Sequence, residues 1–129
     1  MQSLSVLLLL LFTVVIAQQQ EREMANRFNG ILAHWIMSKS RSQLLNLFQN
    51  DFHYNICRGQ NLTRYQYVDR LLAYKKPVRI IYTVIETKIK FGILEMRSCY
   101  KVKGTLIYVV FNVKPLGNSL ISTSGYQDC

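Results

Sequence analysis

Three β-rich segments separated by short turn signals fill the C-terminal half of the chain and constrain its fold more than any other feature. Residues 78–91, VRIIYTVIETKIKF, put Val78, Ile80, Tyr82 and Val84 on one side and Arg79, Ile81, Thr83, Ile85, Thr87, Ile89 and Phe91 on the other. That is the period-two spacing of a strand. Beyond Gly92 a second strand is expected from Ile93 to Val102, then a tight turn at Lys103 and Gly104, then a third strand from Thr105 to Val113. Connections this short join antiparallel neighbours. Pro115, Gly117 and Asn118 mark another turn, and Ser119 to Ser124 supply a final strand. A meander of this kind buries one face, so the rest of the chain has to supply its cover.

The cover reads as helical. Met24, Phe28, Ile31 and Trp35 recur at steps of four, three and four, widened by Leu32 and Ile36, while Glu21, Arg22, Glu23, Asn26, Arg27 and Asn29 fall largely away from the stripe. The pattern predicts a helix over 21–38, in which Gly30 costs about 1 kcal/mol against alanine. Ser40 with Gln43 has capping-box spacing and opens a short second helix carrying Leu44, Leu45, Leu47 and Phe48. In residues 51–57, DFHYNIC, Phe52, Tyr54 and Ile56 alternate with His53, Asn55 and Cys57, as in a half-buried strand that Gly59, Gln60 and Asn61 break. Thr63 with Gln66 makes another box, opening a third helix with Val68, Leu71 and Leu72 that ends near Lys76, before Pro77. The order is α+β, with helices packed on one face of a curved sheet.

Residues 1–17, MQSLSVLLLLLFTVVIA, carry no charged side chain and end with Val15 and Ala17 at the positions a signal peptidase requires. The rival reading, a membrane anchor, needs about 20 apolar residues and a basic stop-transfer flank, whereas this stretch runs into Gln18, Gln19 and Gln20. The expected organisation is a signal peptide, 1–17, and one domain, 18–129, secreted and with no stable membrane insertion after cleavage. All 16 Lys and Arg and all seven Asp and Glu lie in the second part, giving it the formal charge of +9. The basic residues are scattered and an exported chain rarely meets nucleic acid, so a solvated basic surface or an acidic extracellular partner is expected, and no nucleic acid. Cys57, Cys99 and Cys129 enter an oxidising compartment, where an odd count leaves one thiol over. Their spacing suits no metal site, and any of three pairings is open.

The element order resembles the nuclear transport factor 2-like fold. The Leu47-Phe48-x-x-Asp51-Phe52-x-Tyr54-x-x-Cys57 segment, the terminal Ser124-Gly125-x-x-x-Cys129 and the leader ending in Ala17-Gln18 are similar to the secreted members of that family abundant in nematodes. The resemblance implies a cone in which three N-terminal helices pack on a strongly curved antiparallel sheet, with a Cys57–Cys129 disulfide and Cys99 as an extra thiol. Enzymes of the wider fold imply acid and base groups inside the cone.

The polar groups available for such chemistry are His34, Asp51, His53, Tyr54, Tyr82, Glu86, Glu95 and Tyr100. His53 with Asp51 would make a base and its orienting carboxylate on one strand face, and Glu86 a carboxylate whose burial would raise its pKa. Each has a plain structural alternative: a strand-edge histidine, a turn carboxylate, and a water-facing strand shared with Lys88 and Lys90. No nucleophile, phosphate-binding or metal motif is present, and no cofactor is expected. The tyrosines suit a pocket for a small hydrophobic ligand. The sequon Asn61-Leu62-Thr63 is a glycosylation acceptor in an exported chain, expected in a loop. The leading reading is a non-enzymatic secreted domain binding an extracellular partner or small ligand. The alternatives are a lyase or isomerase using the cone, and a homodimer through an exposed strip of Ile107, Val109 and Phe111.

Overall fold

The computed structural model describes residues 2–57, 59–73, 81–102 and 104–129. Its elements run α1 (Gln2–Met37), α2 (Arg41–Asn46), β1 (His53–Ile56), β2 (Gln60–Thr63), α3 (Arg64–Leu72), β3 (Thr83–Lys90), β4 (Ile93–Val102), β5 (Thr105–Leu116) and β6 (Ser119–Asp128). The strands form one sheet in the order β2-β1-β6-β5-β4-β3. The expected helix end near Lys76, the break at Pro77, the strand positions Val78 to Ile80 and the turn residue Lys103 lie outside the described residues.

The meander from β3 to β6 is antiparallel throughout, as its short turns dictate. The sheet as a whole is not: β1 joins β6 in parallel, pairing Tyr54 with Gly125 and Asn55 with Tyr126. A strand separated from the meander by a helix is released from hairpin geometry and docks by its apolar pattern instead. Nor is the sheet strongly curled, as the cone expectation required. β4 and β5 pair in unbroken register from Leu94↔Val113 to Val102↔Thr105, and among the described strands bulges interrupt only Val84/Glu86 and Asn112/Val113. Bulges are the devices that bend a sheet, and here they are few.

One face of the sheet takes the helices. Met96, Ser98, Val109, Phe111 and Val113 are buried there against Phe28, Leu32 and Leu44. On α1 the buried set is Ala25, Phe28, Asn29, Leu32 and Ile36, with Met24, Ile31 and Trp35 only partly covered. The helix is thus turned from the predicted stripe, and Asn29, expected to face away, lies inside. Its Nδ2 donates to Ser98 Oγ at 2.9 Å, which offsets the desolvation of both groups. The same helix extends back through the leader, where the large apolar side chains from Leu4 to Ile16 are 39–66% exposed.

Local signals have mixed outcomes. Thr63 and Gln66 close a full capping box on α3, whereas Ser40 caps α2 by position with no side-chain hydrogen bond. Asn61 lies in the exposed strand β2, opposite Asn55, rather than in a loop. Phe91 is not a strand residue: with Gly92 it makes the β3–β4 turn, at φ 53° and fully exposed. β6 continues past Ser124 to Asp128 because β5 pairs with it as far as Tyr108↔Asp128, with β1 joining its other edge at Gly125 and Tyr126.

Candidate functional site

Between α3 and the end of the sheet lies a small cavity of about 60 Å³ lined by Tyr54, Tyr67, Arg70, Leu71, Tyr100, Ile107 and Gln127. The two-residue alternation of β1 sends Tyr54 inward and His53 outward. The capping box starts α3 so that Tyr67, Val68 and Leu71 face the sheet. Tyr54 and Tyr67 stack at 4.2 Å between ring centres, and Phe48, Phe52 and Phe111 pack around Tyr67. Tyr100 meets Tyr82 at 4.9 Å and sits opposite Ile107 across β4 and β5.

Among the described residues Arg70 is the only charged one in the lining. The neighbouring acids are engaged elsewhere, Asp69 with Arg41 at 3.0 Å and Asp128 with Arg97 at 2.7 Å. Among the described residues the lining holds no carboxylate or imidazole, the groups most used to move protons. It offers aromatic walls, a guanidinium and an amide. Its volume of about 60 Å³ admits only a very small group or the tip of a larger ligand, since small-molecule sites run to about 300–1,000 Å³.

Of the groups singled out for chemistry, Tyr54 and Tyr100 line this cavity, whereas His34, Asp51, His53, Glu86 and Glu95 do not. His53 is exposed, its Nδ1 lying 3.0 Å from the main-chain carbonyl oxygen of Asp51 rather than from the carboxylate. The Asp51 carboxylate accepts a hydrogen bond from Gln49 Nε2, and this bond holds its pKa below the usual 3.8, helped by a backbone N–H and by the charges of His53 and Lys114. Glu86 is exposed on β3, in register with Arg97. Glu95 pairs with Lys88 at 3.4 Å, and His34 is exposed beside the Trp35 ring. Among the described residues no cluster of His, Cys, Asp and Glu could hold a metal ion.

Two features escaped sequence reasoning. Exposed Arg70 and half-buried Gln127 border the cavity, and neither was singled out in the sequence. Asn29 with Ser98 is a buried polar pair one core-facing row from Tyr100 and Ile107, and Asn29 Oδ1 has no hydrogen-bond partner. Its signal was present, since Asn29 lies one step from Phe28 and four from Ala25 on the same helix.

Cys57 and Cys129 are joined in a disulfide with Cα atoms 6.0 Å apart, fastening the end of β6 to the end of β1 across 72 residues. Cys99 is a half-buried free thiol on the sheet face away from the helices. The strip of Ile107, Val109 and Phe111 assigned to a dimer interface is on the helix-covered face, with Val109 and Phe111 1% and 0% exposed. Their even-numbered neighbours Leu106 and Tyr108, with Tyr126 of β6, form the exposed apolar positions of the opposite face.

The family model described as NTF2-like domain matches residues 22–129. Similar solved structures include an NTF-2 like protein of unknown function from Silicibacter pomeroyi, with 12% identity over 91% of this chain and 97% of that one and a TM-score of 0.66. An NTF2-like protein from Cytophaga hutchinsonii shares 12% identity over 84% and 97%, also at 0.66. A de novo designed protein with curved beta-sheet aligns at 8% identity over 83% and 98%, with a TM-score of 0.60. No curated protein matches the sequence.

Proposed function

The chain belongs to the NTF2-like domain family, and from that premise we propose that it is a secreted, non-enzymatic binding domain of the nematode type. In this reading residues 1–17 are removed on export and residues 18–129 hold the tip of a small ligand, such as a single ring or polar head, at the Tyr54, Tyr67, Tyr100 and Arg70 cavity. The fold itself serves diverse ligand-binding and enzymatic roles, so the site has to decide. One observation carries the choice: the cavity is lined by phenols, a guanidinium and an amide, while His53, Asp51 and Glu86 all lie outside it. A lyase or isomerase built on the imidazole and carboxylate candidates would need at least one of them in contact with substrate.

Export is supported by the apolar leader and by the disulfide, which belongs to an oxidising compartment. It also makes exposed Asn61 a glycan acceptor. The test is to record NMR spectra of the secreted, disulfide-intact domain with a small-molecule fragment library. Shifts concentrated on Tyr54, Tyr67, Tyr100 and Ile107, lost in Arg70→Ala or Tyr100→Ala, are the expected result. Perturbations confined to His53, Asp51 or the outer sheet face would overturn it.

A homodimer remains a second reading, moved to the outer face by the exposure of Leu106, Tyr108 and Tyr126. Sedimentation of the secreted domain as a monomer at high concentration would remove it.

A further inference from the structure

We propose that export leaves this chain with a pyroglutamate at its amino terminus, an inference that rests on leader removal as read above. Cleavage after Ala17 frees the α-amine of Gln18, whose own carboxamide carbon is positioned to close a five-membered lactam. The amine nitrogen attacks Cδ, a new amide bond forms, the Cδ–Nε2 bond breaks, and the departing nitrogen leaves as ammonia with the displaced proton. The step is a transamidation: it consumes no oxidant, reductant or second substrate.

The sequence makes this outcome insensitive to the cleavage position. Gln18, Gln19 and Gln20 are consecutive, so a cut displaced one or two residues toward the C-terminus still presents an N-terminal glutamine. The structure leaves these residues room to react. All three are exposed, Glu21 and Met24 are the first partly covered residues after them, and the first fully covered residue of α1 is Ala25. Ring closure at residue 18 therefore disturbs no packing.

Electrostatics favours the product. A new N-terminus at residue 18 places an ammonium at the positive end of the shortened α1, where the helix dipole repels it and welcomes the carboxylate of Glu21 in the first turn. Cyclisation removes the unfavourable charge and keeps the favourable one. It also leaves no free amine for an aminopeptidase, protecting a helix whose next residues begin the core.

The experiment is expression of the full chain in a eukaryotic secreting cell, with amine labelling of the medium protein before digestion and mass analysis of the N-terminal peptide. The expected peptide begins at residue 18, 19 or 20, is lighter than its sequence by one ammonia, and is unlabelled. In a Gln18→Ala, Gln19→Ala, Gln20→Ala variant the corresponding peptide should have its full mass and carry the label. A secreted chain beginning at glutamine with a labelled amine overturns the inference but leaves export standing, as does a start beyond Gln20. A chain that keeps residues 1–17 overturns both.

Discussion

Replacing Gly125 by alanine adds one methyl group where the sheet has no room for it. Gly125 is flanked by Tyr54 on β1 and Phe111 on β5, and an added Cβ would stand 2.9 Å from Phe111 Cδ1 and 3.2 Å from Tyr54 Cδ2. The first separation is shorter than carbon atoms tolerate, and the Phe111 ring cannot easily yield because it is fully buried and packed on Phe28 at 5.6 Å. The φ of Gly125 is not in the left-handed region, so the cost is steric alone. Overpacking of this kind destabilises by about 1–3 kcal/mol, which for a domain of this size lowers Tm by roughly 4–12 °C. Thermal and urea unfolding of the disulfide-intact domain would measure it. Gly30→Ala is the control: nothing lies within 4 Å of its added Cβ in mid-helix, so it should gain about 1 kcal/mol. The Gly125→Ala, Phe111→Leu double variant should lose less than the sum of the single changes, because each relieves the other. Unchanged stability in Gly125→Ala, or strict additivity in the pair, would refute the reasoning.

Phe91→Asn should stabilise the domain by about 1 kcal/mol, since Phe91 is fully exposed at φ 53° and asparagine before Gly92 suits a two-residue hairpin turn; a loss of stability in urea unfolding would contradict this. Reduction of Cys57–Cys129 should cost about 4 kcal/mol from the 72-residue separation it spans, read as the difference between oxidised and Cys57→Ser, Cys129→Ser proteins. Asp51 should titrate by NMR below 3.8, returning toward it in Gln49→Ala. Because its folded-state pKa is depressed, its contribution is present above the unfolded value and lost as pH falls through the folded one; a midpoint at or above 3.8 in the wild-type protein would refute the assignment.

The resemblance drawn from the ordered elements and the Ser124-Gly125-x-x-x-Cys129 ending acquires a physical basis at Gly125 and Cys129. The glycine makes space for Tyr54 and Phe111, and the cysteine locks β6 beside β1. The candidate site was less legible. Tyr54 and Tyr100 stood among the polar candidates, but Arg70 and Gln127 come from distant elements and meet only when α3 crosses the end of the sheet. His53 and Asp51, two residues apart in sequence, drew a catalytic reading because local spacing reports shared face and not exposure.

Periodicity and turn chemistry determined the meander, the division of its strands into two faces and the Thr63 cap, because those depend on neighbours within a few residues. Tertiary structure alone decided that β1 runs parallel to β6, that α1 turns Asn29 onto Ser98, and that the Ile107, Val109, Phe111 strip is core rather than interface. A strand pattern says that two faces differ; only the helix that lands on one of them says which is inside.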